Sequence, residues 1–262
     1  MSQEQHFGAV HMRVEDHIAI ISVDNVAKRN ALSPEMIEQL SRHLTTFDND
    51  DNLWVAVLCP EGEHTTAGLD MPKFFGPTAT VKPLPEDWVD PFGLGKRSSK
   101  PVISVVHGMT YTVGIEMMLA GDIVVAADTA RFCQMESKRG IAPLGGAHFR
   151  YLTRTGWGNA MYHLFLCDEF DAQRALQIGF VQEVLPFGPH KERAMELARL
   201  ICQCAPIGLR ATKAAALRFV REGEQAAIDC IPQIQETVFA TEDYAEGLRS
   251  FVERRAAVFK GR

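Results

Sequence analysis

Apolar residues in this 262-residue chain gather into short, nearly unbroken runs separated by stretches with helical spacing. The first run is Ile18-Ala19-Ile20-Ile21-Ser22-Val23. Trp54-Val55-Ala56-Val57-Leu58, Val102-Ile103-Ser104-Val105-Val106 and Ile123-Val124-Val125-Ala126-Ala127 follow it. Runs of this length without polar alternation predict strands of a sheet covered on both faces. Between the first two, Met36, Ile37, Leu40, Leu44 and Phe47 recur at the spacing of an amphipathic helix. Ser33 is its expected N-cap and Pro34 its first helical residue. Strands alternating with helices predict an α/β fold.

From about Lys191 the pattern is helical almost throughout. Leu197, Leu200 and Ile201 share a face; Leu209, Leu217 and Phe219 follow, then Ile228, Ile231, Ile234 and Val238, with Gly208 and Gly223 as punctuation. The chain therefore divides into a core over residues 1–190 and a helical C-terminal region over residues 191–262. A helical tail cannot bury all these positions by itself, so it is expected to pack on the core or on a neighbouring subunit. Between Pro72 and Lys100 the periodicity breaks. Five prolines punctuate a stretch that also holds Phe74, Phe75, Trp88 and Phe92. It reads either as a wall for an apolar ligand or as a plain surface excursion.

Composition narrows the partners. A net charge of −6 with no basic stripe argues against nucleic acid. No apolar run reaches the length of a membrane span, and the polar start Met1-Ser2-Gln3-Glu4-Gln5-His6 carries no signal-peptide pattern, so a cytoplasmic protein is expected. Six scattered cysteines form no CxxC pair and nine histidines show no ligand spacing. Reduced thiols and no metal are the expectation.

The candidate chemistry lies in two glutamates twenty positions apart, Glu116 and Glu136. After the strand ending at His107-Gly108, a turn leads into Val113-Gly114-Ile115-Glu116-Met117-Met118-Leu119-Ala120, a helix stopped by Gly121. The first N–H groups of a helix lack internal partners and can hold an oxyanion if aimed into a cavity. Glu116 then lies in the first turn beside that cavity, or merely complements the helix dipole at the surface. Arg131-Phe132-Cys133-Gln134-Met135-Glu136 reads as a short strand delivering Glu136, and Gly140 to Gly146 as the loop before another helix. A second small-residue turn lies upstream, at Thr65-Thr66-Ala67-Gly68-Leu69-Asp70. Gly93-Leu94-Gly95-Lys96 only glances at a phosphate loop, because Asp90 stands where the first glycine belongs. His148, Arg150 and Tyr151 read as helix-entry or surface residues.

These segments, in this order, resemble the crotonase (enoyl-CoA hydratase/isomerase) superfamily. The match runs from Lys28-Arg29-Asn30-Ala31-Leu32 through Ala67-Gly68-Leu69-Asp70, the Gly108–Asp122 run and Phe132-Cys133-Gln134-Met135-Glu136 to Phe259-Lys260. The resemblance implies an α/β, crotonase-like spiral of repeated ββα units with a helical C-terminal trimerisation region. It implies acyl-CoA thioesters as ligands, a homotrimer or dimer of trimers, and no cofactor beyond the coenzyme A of the substrate. Carried onto this sequence, the backbone N–H groups of Leu69 and Val113 form the oxyanion hole. Ala27, Lys28, Ala31, Ala67, Gly68, Asp70, Gly114 and Leu144 line the CoA and substrate site. Phe259 and Lys260 approach the CoA of an adjacent subunit. Glu116 and Glu136 become the acid/base pair, and retention of both tilts the expectation to hydration. Δ3–Δ2 enoyl-CoA isomerisation or other enolate chemistry, with Glu136 as main base, is one alternative. A weakly catalytic acyl-CoA-binding trimer is another. The chain departs from the family pattern at Thr65-Thr66, at Thr112-Val113 (where glycines are usual) and at Leu144.

Overall fold

The computed structural model describes residues 8–77 and 79–262; the N-terminal segment Met1–His6 lies outside the described residues. In chain order the core comprises β1 (Ala9–Glu15), β2 (Ile18–Asp24), α1 (Pro34–Asn49), β3 (Val55–Pro60), α2 (Met71–Phe75), β4 (Val102–Val106), β5 (Met109–Tyr111), α3 (Val113–Ala120), β6 (Ile123–Ala127) and β7 (Arg131–Cys133). Then follow α4 (Ala147–Leu166), β8 (Phe170–Asp171), α5 (Ala172–Gln177), β9 (Glu183–Leu185) and α6 (Pro189–Ile201). The remainder is α7 (Pro206–Glu222), α8 (Glu224–Asp229), α9 (Ile231–Phe239) and α10 (Glu242–Glu253).

The larger sheet runs β1-β2-β3-β4-β6-β9, parallel except for the antiparallel edge strand β1, and a smaller sheet runs β5-β7-β8. Consecutive strands β4 and β5, and then β6 and β7, go one to each sheet before a helix follows, which is the ββα spiral. Period-two geometry splits β2 between two cores. Ile18 and Ile20 join Val57, Ile103, Val105 and Val125 beneath Ala194, Met195 and Ala198 of α6. Ile21 and Val23 pack with Met36, Leu40 and Leu44 of α1 on the other face. Ser33 caps α1 by accepting from Met36 N–H, with Pro34 in the first turn.

The residue 190/191 division falls inside α6, and the buried face of that helix is Ala194-Met195-Ala198, with Leu200 exposed. The long side chain at 200 drew the apolar face one position too far round the helix. Among the described residues α8 and α9 bury no side chain, and Phe219, Ile228, Ile231, Phe239 and Phe251 all face outward. The tail's apolar positions are thus left uncovered within one protomer.

A buried histidine pair joins α6 to the strand that feeds α3. His107 Nε2 donates to Gly62 O (3.1 Å), and His190 Nδ1 accepts from Gly188 N–H (3.1 Å), so His190 Nε2 donates to His107 Nδ1 (3.0 Å). Both rings are fully buried and neutral. Burial first, then the adjacent His190 ring for His107 and Lys191 for His190, push His107 down to about 3 and His190 down to about 4. Their folded values lie below the unfolded one, so the unfolded chain takes up protons first on acidification. Their contribution is full above the ordinary histidine range and is lost as pH falls toward the folded values. Thermal unfolding between about pH 7 and 4 is expected to show a steeply falling Tm, with a shallower fall in His190→Gln. An identical pH dependence in parent and variant would refute this linkage.

Candidate active site

Two turns separated by more than forty residues meet here because Thr66 bonds to both. Its N–H donates to Met109 O (2.9 Å) and its carbonyl accepts from Tyr111 N–H (3.1 Å), tying it to β5. Its hydroxyl donates to Asn30 O (2.6 Å) and accepts from Gly68 N–H (3.0 Å). Asn30 is itself buried and spans to Glu61 O and His64 O through its amide. The 67–70 turn zips to the end of the 28–32 turn through Ala67 N–H to Arg29 O, Leu32 N–H to Gly68 O and Asp70 N–H to Leu32 O. In the sequence Thr66 is part of the small-residue turn and a departure from the family pattern, with nothing to mark its distant partners.

The helix α3 starts beside this turn. A Cβ on Gly114 would stand 2.5 Å from Thr66 Cγ2, and one on Gly68 would stand 2.9 Å from Thr112 Oγ1. Thr112 has φ 50°, ψ −113°, a conformation that costs a β-branched residue strain. It is held there by Thr112 N–H to Cys133 O (3.0 Å) and by its own carbonyl, which accepts from Ile115 and Glu116 N–H. That geometry releases Val113 N–H at the first helical position, where no carbonyl four residues back can accept it. Among the described residues neither Leu69 N–H nor Val113 N–H has a partner. The Val113 side chain turns into the core with Met36, Met117, Leu69 and Phe92.

Helix α3 is apolar all round and buried, so its single charge stands out. Glu116 is 2% exposed, which removes the surface reading of this residue. Its Oε1 accepts from Gly145 N–H (2.7 Å) and Ala147 N–H (3.2 Å), the open end of α4. Burial raises its pKa, while those two N–H groups pull the other way and favour the charged form. A Cβ on Gly145 would collide with Glu116 Oε2, so the glycine is required by close approach. The Gly145-Gly146 pair marked a loop in the sequence; nothing local told that its N–H groups serve a carboxylate 29 residues away.

Glu136 does not end a strand. β7 stops at Cys133, and Glu136 opens a one-turn 3-10 helix, Glu136–Arg139, closed by Gly140 at φ 77°. Its Oε1 accepts from Gln134 Nε2 (2.8 Å), and its Oε2 is buried with no hydrogen-bond partner among the described residues. Burial chiefly, and the Glu116 carboxylate also, push its pKa up to about 7. The two carboxylates are therefore electrostatic neighbours with different supports. One is held by two backbone donors and the other is half-neutral at physiological pH.

Of the other expected site residues, Ala27 and Lys28 form an exposed turn, Lys28 Nζ reaches Asp70 Oδ2 (2.8 Å), and Ala31 and Ala67 are half-buried. Leu144 is 77% exposed, and its neighbour Gly145 makes the contact with Glu116. Phe259 lines a hollow with Ile207, Val238 and Tyr244, while Lys260 N–H donates to Asp243. Arg150 and Tyr151 are buried, contrary to the surface reading; Arg150 donates to Gly145 O and Gly93 O. Around Gly93-Leu94-Gly95, the Asp90 carboxylate takes the N–H groups of Phe92, Leu94 and Gly95, leaving no phosphate cradle. The proline-rich stretch and α1 enclose a cavity of about 610 Å³ that includes Ile37, Phe74, Trp88 and Phe92. Ile37 and Phe92 also touch the cluster holding Val113 and Leu69. Among the described residues no helix is long and apolar enough to cross a membrane.

Comparison with known proteins is consistent with this geometry. The enoyl-CoA hydratase/isomerase family pattern matches residues 13–262. The enoyl-CoA hydratase EchA19 of Mycobacterium tuberculosis is 30% identical, covering 94% of this chain and 94% of its own. The 2,3-dehydroadipyl-CoA hydratase of Escherichia coli is 29% identical over 95% of this chain and 97% of its own. The crystal structure of a probable enoyl-CoA hydratase/isomerase from Mycobacterium abscessus superposes with a TM-score of 0.92 at 39% identity, covering 97% of this chain and 99% of that one.

Proposed function

The chain belongs to the enoyl-CoA hydratase/isomerase family, the crotonase superfamily, and on that premise we propose that it adds water across the α,β-double bond of an acyl-CoA thioester. The observation that carries this reading is the pair of buried carboxylates with divergent support, next to two unpartnered backbone donors. Leu69 and Val113 N–H hold the thioester oxygen and draw electron density from Cβ. Glu116, whose charged form the Gly145 and Ala147 N–H groups support against burial, takes a proton from water as its oxygen bonds to Cβ. The π electrons move toward Cα and the carbonyl oxygen, and Glu136 delivers its proton to Cα. The C–O and C–H bonds formed account for one water, and proton exchange between the carboxyls resets the site. Each oxyanion donor contributes about 3 kcal/mol to such a barrier.

The exposed turn at Ala27 and Lys28, with Ala67 and Asp70, receives the CoA, and no other cofactor takes part. The protein works in the cytoplasm as a homotrimer or dimer of trimers. The uncovered apolar faces of α8 to α10 support that assembly, and Phe259 and Lys260 of one subunit then approach the CoA of the next. Isomerisation is the second reading. It is favoured by Glu136 alone, whose unpartnered Oε2 and pKa near 7 suit taking a proton from Cα and returning it at Cγ.

A panel of short, medium and aromatic α,β-unsaturated thioesters is expected to lose enone absorbance and take up solvent oxygen at Cβ. A β,γ-unsaturated thioester that becomes conjugated with no oxygen uptake on any member would replace hydration with isomerisation. Binding without turnover on the whole panel would leave only an acyl-CoA-binding trimer. Two departures from the family pattern leave the site uncrowded: Val113 points into the core and Leu144 into solvent.

A further inference from the structure

At the far end of α3 from the oxyanion turn lies a cavity of about 840 Å³, bounded by α3, the start of α4 and α7. Its size falls within the range of small-molecule sites. Five cationic side chains line it, Arg97, Arg150, Arg154, Lys213 and Arg221, against one carboxylate, Asp122. Lys213 is paired with Asp122 at 2.6 Å. None of the four arginines forms an ion pair among the described residues. On a chain with net charge −6, five cationic side chains lining one hollow with a single carboxylate call for an explanation.

Capping α3 explains part of the arrangement. Arg97 donates to Ala120 O, and Arg154 to Gly121 O and Asp122 O, the negative end of the helix dipole. Those bonds leave Arg97 Nε and Arg150 Nε buried with no acceptor, and Arg150 as a whole is 5% exposed. A guanidinium has five donors in a planar fork, and the unused edge of each head matches a carboxylate or phosphate. Arg97 feels the Asp122 carboxylate first, and then the like charges of Arg154 and Arg221. The remaining walls are mainly apolar, with Leu94, Phe149, Leu209, Leu217 and Val220 beside Thr153 and Thr212.

We propose that this cavity is a second ligand site, distinct from the glutamate pair, that takes an anionic amphiphile: a carboxylate or phosphate head against the arginines and an apolar body along Leu209 and Leu217. Arg150 connects it to the carboxylates. It donates to Gly145 O, and Gly145 N–H donates to Glu116.

Isothermal titration of the intact protein with octanoate and octyl phosphate tests this assignment. One site per chain is expected, with octanol binding at least tenfold more weakly and affinity falling as salt rises. Arg221→Ala lies on exposed helix surface and leaves the fold intact, so a several-fold loss there reads the site directly. Arg154→Leu is expected to lose tenfold or more. Binding must persist when the protein is saturated with a CoA thioester. Equal affinity for octanol, no loss in Arg221→Ala, no binding at all, or displacement by the CoA thioester would each overturn the proposal. Because none of these readouts uses turnover, failure here leaves the hydratase reading standing, and the reverse also holds.

Discussion

Glu136→Gln is expected to lower kcat for hydration by about 100- to 10,000-fold with little change in KM, because it removes a proton donor from the reacting atoms and leaves the CoA contacts in place. Glu116→Gln is expected to act on a similar scale by a different route. Glutamine still offers an oxygen to Gly145 and Ala147 N–H but cannot accept the water proton. The double variant should fall far short of the product of the two losses, since the carboxylates act as a unit. The pH profile carries a further signature. Glu136 gives its proton in the hydration direction, so kcat/KM for hydration should decline as pH rises through about 7. That limb belongs to the coupled pair and should vanish in Glu136→Gln. Steady-state kinetics from about pH 5.5 to 9, in both directions, would decide it; the dehydration rate should show the opposite trend.

The same carboxyl predicts a stability trade. Its folded pKa, about 7, lies above the ordinary glutamate range, so the native state holds this proton more tightly than the unfolded chain across that window. Stability is therefore fully present below the ordinary range and lost as pH rises through the folded value. The side chain introduced by Glu136→Gln cannot titrate, so the variant should gain in Tm relative to the parent at about pH 8 compared with about pH 5. An active variant, or one with an unchanged Tm difference, would remove Glu136 from this role.

Gly68→Ala should be the most damaging substitution outside the carboxylates, with kcat falling about 100- to 1,000-fold, the scale of one lost oxyanion donor. Gly68 sits at φ 118°, where side-chain-bearing residues are rarely found, and an added Cβ would stand 2.9 Å from Thr112 Oγ1. Relief requires rotating the peptide that carries Leu69 N–H or shifting Thr112, which sets Val113 N–H. Either movement disturbs the hole. The turn at Lys28 and Ala67, proposed to receive the CoA, is held by separate bonds, so KM should move much less. Gly158→Ala, with no heavy atom within 4 Å of the added Cβ, is the control and should keep full activity. Comparable kcat in Gly68→Ala and the control would exclude this turn from catalysis.

Local pattern carried the strands at Ile18, Val55, Val102 and Ile123, because unbroken β-branched runs have one stable use in a covered parallel sheet. It carried Ser33 and Pro34 as the start of α1, since a cap depends on four adjacent residues. It also named both glutamates and both turns. What it could not carry was orientation. The start of α3 is legible, but whether Glu116 faces water or the core depends on α4, whose N-terminus arrives about thirty residues later. The strand end assigned to Glu136 became a 3-10 turn because Gly140 closes the chain there, a choice made by backbone geometry rather than side-chain period. The contacts made by Thr66, Gly145, Arg150 and the His107–His190 pair went unread for the same reason. Each acts through partners distant in sequence, and residue type alone says nothing of who those partners are.

The sequence by itself thus determined the α/β alternation, the helical tail and the identity of two acidic groups. Only the tertiary structure decided their surroundings, since burial pushes the pKa of Glu136 up to about 7, two backbone donors hold Glu116, and one threonine draws together the turns that carry the unpartnered N–H groups. Desolvation and hydrogen-bond geometry exist only once distant segments are packed.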